Sequence, residues 1–432
     1  MIVGERMNEG ALLYVGIWDD IGPLAAWVYR SLDFLFGRSQ LVVQIFGLLL
    51  FFFQISYMNY ISLKHKMYNE NNYLPALFYG ILGLTFFNII TLSPHQLGLT
   101  FVLLSMNSLF IHIETRNKTD GNLLNIGLYI GIASLFFLPY FIMIFVHIVG
   151  LVIFTNTIRR RYLLLIYGVG IPLITCWLIY VWLGKTYELF GNYFHSIFSF
   201  ETEQFLTYKS IFILLGTTIF LFTLSALKIL SGFGFTVFQA RVQKVMFFAA
   251  MVTLFIYVFY SDKDGYSFIM FFPWVAFFLS HFFLSIKNKF RRELSFLIYF
   301  LSIVVLYFGI TFQSLNLHKF INLDPLIINT KSKNEAYIDK KILVLGPDIK
   351  PYYNSKQATP YFNWNLSKGQ LEHLKYYDNL EAVDKNIRSD MPDFIVDQIG
   401  LAPELFDHIP LLGAEYKQTR NIGIYKRIKP NN

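Results

Sequence analysis

Cysteine is almost missing from this chain. Of 432 residues only Cys176 is a cysteine, and it sits inside an apolar run. That excludes an internal disulfide and any cysteine-built metal centre. Charge is scarce as well: 15% of residues are charged, against 55% hydrophobic and 19% aromatic, with a mean hydropathy of +0.47. An average soluble domain is roughly 45–50% apolar even with glycine counted. Here the excess is gathered into long uncharged runs, the pattern of an α-helical polytopic membrane protein. A net charge of +8 does not point to nucleic acid, because the cations cluster in short loops between those runs. A signal peptide is also lacking, since Met1–Gly10 carries Glu5 and Glu9 and no apolar core.

The apolar runs predict about ten spans, at 41–60, 73–92, 97–113, 123–138, 139–156, 162–183, 210–230, 245–260, 267–286 and 294–313. The pair meeting at Pro139 reads either as two short spans or as one long kinked helix. Cation placement favours two. With ten spans, alternate loops hold thirteen cations, among them Arg159–Arg161 and Lys287, Lys289, Arg291 and Arg292. The opposite loops hold three, Lys185, Lys209 and Lys263. Both termini then lie outside the cytoplasm. An outer N-terminal segment without a signal peptide implies a preceding span, so the native chain is expected to begin upstream of Met1.

Residues 1–40 form an acidic, aromatic segment before the first clear span, with Glu5, Glu9, Asp19, Asp20 and Asp33. Within it Leu24–Phe36 predicts a helix whose Arg30 and Asp33 share a polar face. It reads as an interfacial helix on the outer leaflet, or as a plain helical lead into the first span. The loop Gly184–Lys209 is aromatic and carries Glu188, Glu201 and Glu203, and a second interfacial helix is expected there. Beyond the last span the composition changes. Residues 314–432 predict a small extramembrane α/β domain. Its strands are expected at Lys341–Gly346, Asp393–Asp397 and Arg420–Ile428, with helix over Lys368–Ile387. GPDIKPYY after the first strand is not GxGxxG, so no nucleotide site is expected.

Acids in a membrane protein cost free energy unless they meet water or a partner, and nearly all those of the outer face converge on a few loops. A carboxylate in the first segment can act as general base on an acceptor hydroxyl or amine. Arg6, Arg38, Lys185, Lys209 and Lys263 supply outer-face cations able to hold a lipid phosphate. Blander readings stand beside these. Asp19 and Asp20 also suit the cap of a helix starting near Pro23. Asp33 suits a pair with Arg30, and Glu9 a solvated loop. His95 and His195 are lone loop histidines. Asp262 and Asp264 suit a turn around Gly265 more than a divalent cation. His112, His147 and His281 read as structural, and the aromatic abundance as lipid-facing packing.

Glu5-Arg6-Met7, Gly10, Tyr14, Asp19, Gly22-Pro23-Leu24 and Phe36-Gly37-Arg38-Ser39 together resemble the first outer loop of GT-C-fold glycosyltransferases. The likeness is to the dolichyl-phosphate-mannose protein mannosyltransferase and aminoarabinose transferase superfamily. Leu92-Ser93-Pro94, Gly127-Leu-Tyr-Ile-Gly131 and Pro139 are similar to that family too. So is the tail, through Val344-Leu-Gly346, Tyr352-Tyr353, Thr359-Pro-Tyr361 and Pro392-Asp-Phe-Ile-Val396. Richness in Phe, Ile, Asn and Lys adds a resemblance to bacterial members from AT-rich genomes, of the Bacteroidota. The resemblance implies a GT-C-like fold and transfer of a sugar from a polyprenyl-phosphate donor to a periplasmic protein, lipid or polysaccharide. It implies a bacterial inner membrane, with the C-terminal domain periplasmic. The family's catalytic acid maps to Glu5, with Asp19 second and Asp20 beside it. A divalent metal is possible, with no ligand set indicated. The rival reading is a non-catalytic scaffold or flippase-like component of an envelope pathway. An ion-coupled transporter fits less well, because the spans contain almost no acids and show no repeat.

Overall fold

The computed structural model describes residues 1–85, 91–114, 120–155, 157–194, 203–204, 207–230, 235–260, 262–263, 265–311 and 337–428. The chain opens with a short helix α1 (Ile2–Asn8), then α2 (Pro23–Phe36) and α3 (Gln40–Lys64). Next come α4 (Leu74–Gly83), α5 (Pro94–Glu114) and α6 (Asp120–Phe136). A 3-10 turn (Leu138–Met143) leads into α7 (Ile144–Phe154), α8 (Arg159–Trp182) and α9 (Thr186–Tyr193). A two-residue strand β1 (Glu203–Gln204) precedes α10 (Tyr208–Leu230) and α11 (Val237–Phe259). Strand β2 (Asp262–Lys263), a 3-10 turn (Gly265–Phe271), α12 (Phe272–Leu284) and α13 (Lys289–Thr311) follow. The C-terminal part runs β3 (Lys341–Leu345), β4 (Lys356–Gln357), α14 (Trp364–Leu371), α15 (Tyr377–Ser389) and β5 (Phe394–Asp397). It ends with α16 (Ala402–His408), α17 (Pro410–Gly413), β6 (Tyr416–Gln418) and β7 (Ile424–Arg427).

Seven helical segments among the described residues are long and apolar enough to cross a bilayer: α3, α5, α8, α10, α11, the 3-10 turn with α12, and α13. The chain is a multi-pass membrane protein. The other three expected spans fall on shorter helices, of which α4 and the Leu138–Phe154 segment are apolar. For 123–138 and 139–156 the break is at Phe137, which is extended at φ −146° and ψ 104°, and a 3-10 turn separates α6 from α7. Pro139, two residues on, has no N–H to give and suits the first turn of a new helical segment better than the interior of one long helix. The third, α4, has ten residues and is followed by 86–90, outside the described residues.

The chain divides into two units, one of residues 40–179 with 196–327, the other of residues 1–39, 180–195 and 328–432. In the first unit α5 and the α12 segment are central, while α13 is mostly open to its surroundings. Leu99, Leu103, Met106, Trp274, Phe277 and Phe278 form part of its core. Small residues allow close helix contact, as is usual where lipid gives no hydrophobic drive between helices. A Cβ on Gly127 would strike the Leu165 carbonyl, and one on Gly168 the Leu124 carbonyl. Buried polar groups are tied together, with Gln54 Nε2 donating to Gln96 O (2.7 Å) and Thr100 Oγ1 (2.9 Å). Tyr79 donates to Gln54 Oε1 and Trp274 Nε1 to Thr253 Oγ1. His147 and His281 are buried in the packing of this unit.

The second unit is built on a mixed five-stranded sheet, ordered β4-β3-β5-β7-β6. β3 lies parallel to β4 and β5, and β7 is antiparallel to both β5 and β6. Residues alternate between faces as strand geometry requires. Leu343, Leu345 and Ile395 pack on one side with Leu371, Val383 and Ile387 of α14 and α15. Ile342, Val344, Phe394 and Val396 face the other side, where Tyr352 and Ile2 of α1 pack. Two strands (β4 and β6) and the split of the expected 368–387 helix into α14 and α15 are additions to the sequence-based expectation. Strands of two or three residues give too short an alternation to register in a sequence.

Candidate functional site

The sequence-derived acids sit on α1 and on the segment that joins it to α2. α1 is held close to α2 because Gly4 lacks a side chain: a Cβ there would lie 2.5 Å from Tyr29 O. Asn8 fastens the same contact. Its Nδ2 donates to Asp33 Oδ2 (2.7 Å) and to Arg30 O (3.1 Å), and Arg30 Nε donates to its Oδ1 (3.3 Å). The expected Arg30–Asp33 pair is therefore bridged by an amide, which accepts from one and donates to the other.

The connecting segment is pinned at two points. Tyr14 is buried at φ +68° and donates its hydroxyl to Ile21 O (2.7 Å). Asn192 of α9 donates to Tyr14 O (2.8 Å), and the Tyr180 and Tyr193 rings flank the Tyr14 ring. Four residues on, Trp18 N–H donates to Pro360 O (2.8 Å) and Asn363 N–H to Trp18 O (3.1 Å). The Trp18 and Tyr361 rings meet edge to face at 5.2 Å. Asp20 accepts from Asn363 Nδ2 at 3.4 Å. It does not cap α2. The cap is Gly22, with no side-chain bond, and Pro23 at the first turn removes one of the donors a cap would serve. Asp19 is half-buried beside it.

Glu5 is the acid with the most developed surroundings. Its Oε2 lies 3.3 Å from Arg38 Nη1. The same guanidinium donates to Ser355 O (2.9 Å) and to Tyr352 O (2.5 Å). Burial raises the Glu5 pKa above its ordinary value, the Arg38 charge pulls it back down, and Glu9 pushes it up again. Arg6, buried, pairs with Glu9 at 3.1 Å and with Asp390 at 2.5 Å. Asp390 also holds Lys341 (2.6 Å), and Glu9 reaches Lys356 (3.4 Å). Arg6 and Glu9 thus link α1 through one ionic network to the N-terminal ends of β3 and β4 and the approach to β5, and Glu5 and Arg38 form a separate pair tied to the Tyr352 and Ser355 carbonyls.

Of the remaining candidates, Lys185 pairs with Glu188 at 3.1 Å. Lys209 is an exposed residue of the other unit. The side chain of Lys263, like those of Asp262 and Glu203, and the residues His195, Glu201 and Asp264 lie outside the described residues. His95 is buried, its ring 4.1 Å from that of Phe137. Among the described residues no three His, Cys, Asp or Glu side chains converge as a cation would need. Sequence reading gave Tyr352 no role at the site and missed Ser355, Asp390 and the Trp18–Asn363 pairing. Backbone carbonyls carry no residue-type signal, so only the fold reveals them.

No family model matches the chain, and no curated protein matches it. Solved structures similar to it include two of one protein. Against ArnT from Cupriavidus metallidurans bound to undecaprenyl phosphate, the TM-score is 0.49 at 12% identity, covering 69% of this chain and 57% of that one. Against the apo state of the same protein the TM-score is 0.45 at 13% identity, covering 69% and 56%. The chain therefore spans less than two thirds of the length of either.

Chemically, a half-buried carboxyl with a raised pKa accepts a proton more readily than a solvated one. The adjoining guanidinium fixes one of its oxygens.

Proposed function

We propose that this chain is an inner-membrane glycosyltransferase that moves a sugar from a polyprenyl-phosphate carrier to a periplasmic acceptor. Residues 1–40 and 314–432 would lie on the periplasmic side and 41–313 in the membrane. The Glu5 carboxylate takes the proton of the acceptor hydroxyl or amine. The freed electron pair forms a bond to the anomeric carbon. The bond from that carbon to the carrier phosphate breaks, and the phosphate departs with the electron pair. Its negative charge is met by cations, for which Arg6, Arg38 and Lys185 are candidates in the same unit as Glu5. Lys209 and Lys263 stay candidates from the sequence, and Asp19 and Asp20 are the alternative bases.

The observation that carries this reading is the placement of Glu5, half-buried with its Oε2 3.3 Å from Arg38 Nη1, where burial favours the protonated carboxyl. The first-loop resemblance supports it independently. The test is transfer from an undecaprenyl-phosphate sugar by the protein in nanodiscs. Glu5→Gln is expected to lower the rate by about 10²–10⁴-fold, the contribution typical of a general base. Unchanged transfer by a folded Glu5→Ala/Asp19→Ala protein would remove both acids from the mechanism.

A second reading is favoured by the same contacts. Arg6 and Arg38 are each held by two partners that a fold would need anyway. If the chain is a non-catalytic scaffold or flippase-like component, Glu5→Gln changes stability alone, and no saturable, salt-sensitive binding of undecaprenyl phosphate is seen.

A further inference from the structure

Five cations meet at one end of the membrane unit. α12 ends at Leu284 and α13 begins at Lys289, and Lys287, Lys289, Arg291 and Arg292 fall within six residues there. Lys228 of α10 joins them, its Nζ donating to Ser285 Oγ (2.8 Å). One acid lies among them, Glu293, which reaches Lys289 at 3.9 Å with both side chains open to their surroundings. Lys287, Arg291 and Arg292 have no ion pair among the described residues. The same end holds His65 and Tyr68, since the Tyr68 ring lies 4.4 Å from that of His281 in the last turn of α12. Of the other described acids here, Glu114 is held by His65 (2.7 Å) and Asp120 by Arg161 (2.8 Å), which leaves Glu70 without an ion pair. Positive charge at the start of α13 is therefore in clear excess.

Loops between spans carry cations wherever topology demands them, so charge alone selects no ligand. The helix that rises from this turn does. α13 is the least buried of the seven candidate spans. Its Leu294, Ile298, Leu301 and Val305 are all exposed and, at spacings of four, three and four residues, form one row along the helix. Arg291, three residues before Leu294, continues that row to the turn. At 1.5 Å per residue the row from Leu294 to Val305 is about 16 Å long, half of a ~30 Å hydrocarbon core. That is the depth of one leaflet. An acyl chain laid along the row would place its headgroup phosphate at Arg291.

We propose that this row and the turn at its foot hold an anionic phospholipid, with an acyl chain along Leu294, Ile298 and Val305 and the headgroup phosphate against Arg291 and Lys287. A guanidinium and an ammonium give the phosphate charge-assisted hydrogen bonds. A zwitterionic headgroup brings an ammonium of its own, which the cluster would repel. A second span packed on the row would need small residues for close approach, and these side chains are bulky and aliphatic. The inference uses no residue of the proposed site, and its test needs no transfer activity.

The test places the full chain in nanodiscs of equal phosphatidylcholine and phosphatidylglycerol and counts, by native mass spectrometry, the lipids each protein keeps on release. The wild type should keep phosphatidylglycerol over phosphatidylcholine by about 10-fold, the scale set by two cations at a membrane surface. Lys287→Gln with Arg291→Gln should remove that preference. Lys64→Gln with Lys66→Gln, an equal loss of charge at the same end, should leave it. All four side chains are exposed, so neither pair of substitutions disturbs packing. A wild type without preference overturns the proposal. So does an equal loss in both variants, which would mean diffuse attraction to the whole end. A dimer that keeps no lipid overturns it as well, since a second copy would then cover the row.

Discussion

Arg38 shows how much of this protein rests on single side chains. One guanidinium meets a carboxylate and two backbone carbonyls, those of Tyr352 and Ser355. Replacing it with methionine leaves those carbonyls without a donor, at a cost of about 1–3 kcal/mol. Thermal unfolding in nanodiscs should show that loss. It also removes the charge that holds the Glu5 pKa down, so Glu5 should titrate higher still. The direction of the pH effect follows. A carboxyl whose pKa is raised in the folded state contributes stability that is full below its unfolded value, near 4.5, and is lost as pH rises through the folded value. Glu5→Gln should flatten that decline above pH 4.5, and Arg38→Met should move it to higher pH. An unfolding profile of Glu5→Gln that keeps the wild-type slope would mean that another group is responsible. The sequence showed Glu5 and Arg38 as an acid and a cation in one segment. It could not show them meeting, because Arg38 is fixed by carbonyls more than 300 positions away, at a place no residue type marks.

Helices and strands divide by how far their signal depends on their own residues. α3, α5 and α13 were visible as apolar runs, since a span satisfies its backbone within itself. The break beside Pro139 was visible for the same local reason. α1 was not: seven residues with two charges offer no helical periodicity, and its place depends on Gly4 lying against α2. Gly4→Ala therefore is expected to cost about 1–3 kcal/mol, since the atoms a Cβ would meet are backbone atoms of Tyr29 and Arg30 and cannot turn aside. Faster proteolysis within residues 1–39 would report it. Gly127→Leu tests the same principle in the bundle. It should push α6 away from α8 and lower the unfolding temperature in nanodiscs, while a change at Gly121, which meets nothing within 4 Å, should not.

At the scale of the whole chain, residues far apart in sequence form one body. The first thirty-nine residues fold with the C-terminal sheet, joined by Arg6 to Asp390, Arg38 to Tyr352 and Ser355, and Trp18 to Pro360 and Asn363. A sequence reading in consecutive blocks places such segments apart, because chain order is all it has. The union has a measurable consequence. Removing residues 337–432 would leave Arg6 without Asp390 and Arg38 without either carbonyl, and would strip Trp18 of both backbone bonds. α1 is too short to hold its shape alone, as isolated helices under about 12 residues are marginal in water. Trypsin should then cut after Arg6 and Arg38 in the truncated chain at a rate well above that in the full one. The bonds inside α5 and α12 are untouched by the truncation, so those helices should keep their protection. If Arg38 stayed resistant after truncation, its order would come from α2 alone and the sheet's hold on the first segment would be incidental. If the spans were lost as well, the two units would be energetically one, and the division of the chain would describe geometry without independent stability.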